Sequence, residues 1–312
     1  MSETIVIFGL GPVGRSIMEQ LTAAGRAVTV AQRSQPADLP ALARFVSCDA
    51  TDAEAIKRAT VGASAVICAI GLPYDGTGWL RDWPKIMTNL LAGCEAAGAR
   101  FVMVDNLYMY GPQTQSQSLT EDLPLTNFGN KPRARAEITR LWQEAHRQGR
   151  VRCVAVRASD FYGPGVGQSI MGDTGLRALA NGKAATLLGQ ADLPHDMAYV
   201  PDVARATITL LDAPEDAYGQ AWHVPCAPTL TFRQILQIGA DGLGAPLKLS
   251  VMPPILFGLL SLFVPFLREF KEMRFQTDRP YHVDSSRFAK RFWSDATPFE
   301  IGVNKTINSF KN

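Results

Sequence analysis

The sequence predicts an α/β fold, a doubly wound parallel sheet that carries a smaller C-terminal lobe. Three observations lead there. Short, unbroken runs rich in Val, Ile and Ala have the pattern of strands buried on both faces. These runs alternate with helical patterns as far as residue 159, which is the order that builds a parallel sheet. A glycine-rich turn joins the first run to the first helical pattern.

The elements follow in chain order. "TIVIFG" (4–9) reads as a strand, "PVGRSIMEQLTAAG" (12–25) as a helix stopped by Gly25, and "AVTVAQ" (27–32) as the second strand. "ARFVSCD" (43–49) is a third strand, and Thr51 or Asp52 caps the helix after it. "ASAVICAIG" (63–71) is a fourth strand. A helix over 83–98 follows, with Pro84 near its first turn and Gly98 past its end. "ARFVMVDN" (99–106) is a fifth strand, 131–148 a helix and "RVRCVAVRAS" (150–159) a sixth strand. Right-handed crossovers then favour the strand order 3-2-1-4-5-6. Beyond residue 165 Gly and Pro become frequent and segments shorten. The expected division is a dinucleotide-binding domain over 1–165, completed by 196–225, and a substrate lobe over 166–195 and 226–312.

Of the 312 residues, 46% are apolar and 19% charged, a globular composition outside the disordered range. A net charge of +2 implies no nucleic-acid partner. The five cysteines form no CxxC pair, and with no leader-like start they suit buried, reduced thiols in the cytoplasm. The four histidines show no ligand spacing, so no metal is expected. The run "VMPPILFGLLSLFVPFL" (251–267) is broken by three prolines and reads as a core helix or pocket wall rather than a membrane span.

"GLGPVG" is Gly9-Leu10-Gly11-Pro12-Val13-Gly14, a G-x-G-x-x-G placed between strand and helix, the context that makes it a pyrophosphate cradle. Gly9 allows the turn, Gly11 leaves room for the pyrophosphate, and Gly14 lets helix and strand approach. At the end of the second strand, where an acid would bind the ribose of NAD, stand Gln32, Arg33 and Ser34. Arg33 and Ser34 can hold a 2′-phosphate, so NADP(H) is expected in preference to NAD(H).

"VIFGLGPVG", "SCDATD", "VICAIG", "NLLAGCEAAGARFVMVDNLYMYG", "VRASDFYGPG" and "YVPDVARATITLL" occur in that order. Together they resemble the extended or atypical short-chain dehydrogenase/reductases of the NAD-dependent epimerase/dehydratase group, with a Rossmann fold. The resemblance implies that Asp49 and Ala50 approach the adenine and that Ala69, Ile70 and Gly71 line the cofactor. It also implies that Asn106 takes the place of an active-site Ser or Thr, and that residues 157–164 run under the nicotinamide. Tyr199–Asp202 would close the substrate side. A homodimer through helices 83–98 and 131–148 is a further implication.

The group's catalytic pair is Tyr-x-x-x-Lys. Lys131 matches the lysine, which holds the nicotinamide ribose, but Asn127 stands at the tyrosine position. An amide cannot replace a phenol in proton transfer. Tyr108 is the first alternative, Tyr162 the second and Tyr74 the third; Asn106 can donate to a developing oxyanion. His195 and Asp196 are weaker candidates. The expected function is an NAD(P)-dependent, epimerase-like oxidoreductase that moves a hydride to or from a carbonyl carbon of a small or apolar substrate. A catalytically inactive NADP(H)-binding redox sensor and a sugar-nucleotide epimerase/dehydratase are the alternatives.

Overall fold

A computed structural model describes residues 4–113 and 118–311. The elements, in order, are β1 (Ile5–Phe8), α1 (Pro12–Ala23), β2 (Val28–Gln32), β3 (Ala43–Ser47), α2 (Ala53–Ala59), β4 (Ala65–Cys68), α3 (Gly76–Ala97), β5 (Arg100–Asp105), α4 (Lys131–Arg147) and β6 (Cys153–Arg157). There follow β7 (Asp160–Tyr162), α5 (Arg177–Ala180), β8 (Ala185–Leu187), β9 (Pro194–His195), β10 (Met197–Tyr199), α6 (Val200–Leu211), β11 (Ala221–His223), β12 (Leu230–Thr231) and α7 (Phe232–Gly242). The last are β13 (Leu249–Val251), α8 (Pro254–Leu260), α9 (Pro265–Glu272), α10 (Ser286–Arg291) and α11 (Phe299–Ser309).

The chain forms two compact units. One comprises Met1–Tyr110, Pro124–Arg157 and Val203–Trp222; the other comprises Gly111–Leu123, Ala158–Asp202 and His223–Asn312. Residues 158–165, 196–202 and 223–225, all assigned from sequence to the first domain, belong to the second unit, in which β7 and β10 pair in parallel with each other. Segment 111–123 also joins it, through a bridge between Leu119 and Val283.

The sheet of the first unit runs β11-β6-β5-β4-β1-β2-β3. It has the order expected from the crossovers, with β11 added at the outer edge of β6. The pairings among β1 to β6 are parallel. Every residue of β1, β4 and β6 is buried, which explains their unbroken apolar sequences. Asp52 caps α2 by accepting from the Glu54 and Ala55 amides.

Helix α3 begins seven residues earlier than expected, at Gly76 rather than 83. Asp75 is its N-cap, accepting from the Thr77 and Gly78 amides, and Pro84 lies inside it. Pro84 has no N–H for the turn above, a loss of about 3 kcal/mol in an exposed helix. Burial of Trp79, Trp83, Ile86, Met87, Leu90 and Leu91 on one face offsets it. Four of the five cysteines are buried and all five are free; burial pushes the Cys48 and Cys68 thiols up to about 11 and Cys153 to about 12.

The second unit packs α7 and α11 together and carries three two-stranded pairings. Its core includes Tyr162, Met171, Leu176, Phe232, Phe299 and Val303. The run 251–267 is not a core helix. It forms α8 and α9 joined by a turn, and of its large apolar side chains only Phe257 and Leu267 are buried.

Candidate functional site

The glycine turn leaves open backbone in front of a helix N-terminus. Gly9 has φ +91, and a Cβ there would meet the Ala69 carbonyl oxygen at 2.8 Å and the Ile70 Cα at 2.9 Å. Only glycine therefore lets the end of β1 pass over the residues leaving β4. A Cβ on Gly14 would lie 2.0 Å from the Gly9 carbonyl oxygen. Gly11 differs from both. Its φ of −69 suits any residue, and a Cβ would meet nothing within 4 Å. No steric or conformational demand of the protein requires glycine there, so the space in front of it fits a group that approaches the backbone closely.

Helix α1 starts beside that space with Gly11 as N-cap, Pro12 in its first turn and no side-chain cap, whereas α2, α3 and α7 are capped by Asp52, Asp75 and Thr231. The first-turn amides of Val13 and Gly14 and the positive end of the helix dipole are left for an anion. These features fit a dinucleotide pyrophosphate.

Gln32, at the end of β2, ties the cradle to its surroundings. Its Oε1 accepts from the Leu10 amide (3.1 Å) and its Nε2 donates to the Ser34 carbonyl (2.7 Å). No acid is at this position. Arg33 and Ser34 are exposed beyond it. Arg15, on the first turn of α1, pairs at 3.3 Å with Asp38 on the surface. Asp49 accepts from the Thr51 amide (2.9 Å) and hydroxyl (2.8 Å), and these bonds, with the nearby Arg33 charge, hold its carboxyl below the usual range. Asn89 of α3 donates to the Ala50 carbonyl (3.1 Å). Ala69 and Ile70 are half-buried and Gly71 is exposed.

The candidate catalytic residues gather where β4 and β5 end. Asn106 accepts from the Tyr108 amide through Oδ1 at 3.0 Å. This bond assigns the side-chain oxygen inward and leaves the Nδ2 donors for another partner. Tyr108 stacks on Trp79, with centroids 6.1 Å apart and planes 13° apart, and Trp79 meets Tyr74 edge to face at 6.2 Å. The loop that carries Tyr74 is fixed on both sides. Trp79 Nε1 donates to the Pro73 carbonyl (2.7 Å), and Asp75 caps α3.

Lys131 opens α4 and is fully buried, with Nζ 4.5 Å from the Tyr74 ring centroid. Its ammonium thus faces a phenol, but that phenol comes from the β4–α3 loop. Asn127 is exposed in the loop before α4, so positions 127 and 131 do not share a helical face.

Two further residues were not singled out from the sequence. Asp105, at the end of β5, and Arg135, one turn after Lys131, form a buried ion pair at 3.2 Å. The guanidinium lies 4.3 Å from the Trp83 ring centroid and 5.5 Å from that of Trp79. Asp105 also accepts from the Asn106 amide (2.9 Å), so the pair sets the backbone on which Asn106 sits. Removing one partner strands a buried charge. Arg135→Leu is expected to lower the unfolding free energy by about 3 kcal/mol in a denaturant titration. The alternation of helical positions at 131 and 135 was the available signal.

Tyr162, the second phenol considered from the sequence, is held in the second unit. It lies 1% exposed in the core of the second unit, between Tyr199 (5.2 Å) and Phe299 (5.4 Å), with its hydroxyl against Gly302. Burial, reinforced by the Asp202 charge, pushes its phenol far above the ordinary value. Tyr199 packs on it, and Asp202 holds the Thr297 amide (2.8 Å) and hydroxyl (2.9 Å), so this motif braces the second unit. Arg157 is likewise structural, donating to the Tyr110 hydroxyl (2.6 Å) and to Thr139 (3.3 Å).

His195 is buried, bonds Asp160 through Nε2 at 3.0 Å and stacks on Tyr281 at 4.8 Å. Asp196 accepts from Thr229 (2.5 Å) and the Val283 amide (2.7 Å). Both serve packing. Among the described residues no group of three or more His, Cys, Asp or Glu stands close enough to hold a metal, and no helix is long and apolar enough to cross a membrane.

Residues 5–224 match the model of the NAD dependent epimerase/dehydratase family. The chain belongs to that family. It is thereby an NAD(P)-dependent, epimerase-like oxidoreductase of the short-chain dehydrogenase/reductase group. No curated protein matches it in sequence. Among solved structures it is similar to the UDP-glucose 4-epimerase of Thermus thermophilus in complex with NAD, with 18% identity, TM-score 0.78 and 99% of each chain covered. It is similar to the UDP-glucuronic acid 4-epimerase of Bacillus cereus with UDP-glucuronic acid and NAD, at 15% identity, TM-score 0.81 and 99% of each chain. A dTDP-glucose 4,6-dehydratase of Streptomyces venezuelae with NAD and TYD bound aligns at 19% identity and TM-score 0.79, over 98% of this chain and 96% of that one. At these identities the likeness is one of fold.

Proposed function

We propose that the protein interconverts a carbonyl and an alcohol on a small or apolar substrate, with NADP(H) as the preferred dinucleotide and Tyr74 as the proton donor and acceptor. The observation that carries this reading is the Lys131 ammonium 4.5 Å from the Tyr74 ring centroid. A phenol needs a neighbouring charge to exchange protons near neutral pH. Here loop and helix bring phenol and ammonium together, while the usual helical tyrosine is replaced by Asn127.

When bound, the nicotinamide supplies or accepts the hydride at the substrate carbon. Tyr74 gives its Oη proton to the substrate oxygen in the reductive direction, and the resulting phenolate lies beside Lys131. The Nδ2 of Asn106 donates to the same oxygen, held in place by the Tyr108 amide. Lys131 is therefore assigned to Tyr74 first, and its contact with a ribose is secondary. The two cations beside the site are engaged, Lys131 with Tyr74 and Arg135 with Asp105. That supports a small or apolar carbonyl compound over a sugar diphosphate, which would call for cations of its own.

The preference for NADP(H) rests on the exposed Arg33 and Ser34 and on Gln32 in place of an acid. Arg33→Ala is expected to weaken NADPH binding about tenfold to hundredfold and to leave NADH binding unchanged, measured by titration of nucleotide fluorescence. Equal loss for both nucleotides would refute the preference. The five free thiols support a cytoplasmic setting. A carbonyl panel followed by NADPH consumption tests the activity. Tight nucleotide binding with turnover of no carbonyl compound or sugar nucleotide would favour the sensor reading.

A further inference from the structure

We infer that the α8–α9 hairpin is an interfacial membrane anchor that inserts its tip into a bilayer of anionic phospholipid. Residues 249–267 contain no charged side chain, in a chain that is 19% charged. Of the twelve large apolar side chains exposed among the described residues, eight lie between 251 and 266. Ile255 and Phe263 are each 80% exposed, Leu262 68%, Leu259 58% and Phe266 53%. Such a concentration is far from the scattered apolar exposure of an ordinary surface.

The hairpin is built to hold this tip out. Phe257 is buried and meets Phe270 edge to face at 6.2 Å, and Leu267 is buried at the other side. The turn satisfies its own backbone. The Ser261, Leu262, Phe263 and Val264 amides donate to Phe257, Leu259 and Leu260 carbonyls, and the Ser261 hydroxyl donates to the Gly258 carbonyl. A tip with its hydrogen bonds closed can enter a medium without water.

The flanking charges select the occupant. Lys248, Arg268, Lys271 and Arg274 are exposed, while Glu269 and Glu272 are half-buried. The hairpin therefore presents an apolar tip above a collar of exposed cations, the arrangement that favours lipid headgroups of negative charge. The exposed tip is Leu, Ile, Phe, Val and Pro, with no polar or charged group that would need a partner protein's hydrogen bonds, and the cations lie only at its flanks. Neither helix is long enough to span a bilayer: α8 has 7 residues and α9 has 8. The family match ends at residue 224, so the hairpin lies outside it.

Co-sedimentation of the full chain with phosphatidylcholine vesicles, with and without a third of phosphatidylglycerol, tests the inference. Binding to the anionic vesicles is expected to be at least about tenfold tighter and to weaken with salt. The double variant L262S/F263S is expected to lose that binding while its unfolding midpoint and NADPH affinity stay as in the parent chain. The double variant R268E/K271E is expected to lose the preference for anionic vesicles. Absence of vesicle binding, or binding that L262S/F263S leaves intact, would overturn the inference. A dimer that L262S/F263S dissociates, with no vesicle binding in the parent, would overturn it in favour of a protein interface.

Discussion

Tyr74→Phe lowers kcat by about 10²–10⁴-fold, the range a positioned general acid contributes, and leaves dinucleotide affinity close to that of the parent chain. The substitution removes one oxygen and keeps the ring that covers Lys131 and meets Trp79. Packing is preserved, so the loss reads out proton transfer. Tyr108→Phe is the internal control. Its ring stacks on Trp79 and its amide holds Asn106 Oδ1, a contact that Phe keeps, and its effect on kcat stays below about tenfold. Lys131→Met is expected to lower kcat as well, by removing the ammonium beside the Tyr74 ring. A Tyr74→Phe enzyme at full rate would remove the phenol from the mechanism.

Gly11→Val abolishes tight dinucleotide binding without unfolding the protein. The backbone there is compatible with valine, and a Cβ meets nothing within 4 Å. The loss therefore falls on the ligand. A branched side chain between the pyrophosphate and the α1 amides removes about two charge-assisted hydrogen bonds, together about 3–6 kcal/mol, or about 10²–10⁴-fold in Kd. Gly14→Ala gives the contrasting result. Its Cβ would lie 2.0 Å from the Gly9 carbonyl oxygen, so the strand–helix junction itself must shift and the unfolding midpoint falls. Two glycines three residues apart are thus separable, one reserved for the ligand and one for the fold.

What the sequence disclosed depended on whether the controlling interaction was local or periodic. The sheet strands were legible because burial on both faces writes itself as unbroken apolar runs, as in "IVIF" and "AVIC". The glycine turn between β1 and α1 was legible because glycines at fixed spacing sit at a strand–helix junction. The start of α3 was misplaced because Pro84 resembles a first-turn proline, whereas the Asp75 cap and the tryptophan face carry the helix past it.

The partner of Lys131 was ranked last among three tyrosines. It reaches the lysine from a loop 57 residues earlier, and no periodicity encodes that contact. Tyr162 was ranked too high because a tyrosine beside Gly and Pro looks like an active-site loop, yet its ring belongs to the second unit's core. The run 251–267 reads as a core helix or a pocket wall because an apolar sequence does not state whether its side chains face inward; most of its large side chains are exposed, while Val251, Met252, Pro254 and Phe257 line a cavity.

The most direct test is a crystal structure of the full chain with NADP⁺ and a substrate alcohol or an unreactive analogue. The account predicts the pyrophosphate against the Gly11–Gly14 amides and the nicotinamide C4 facing the substrate carbon. It predicts the substrate oxygen within hydrogen-bond reach of both Tyr74 Oη and Asn106 Nδ2. An empty cradle, or a substrate oxygen bound to another phenol with Tyr74 turned away, would contradict it.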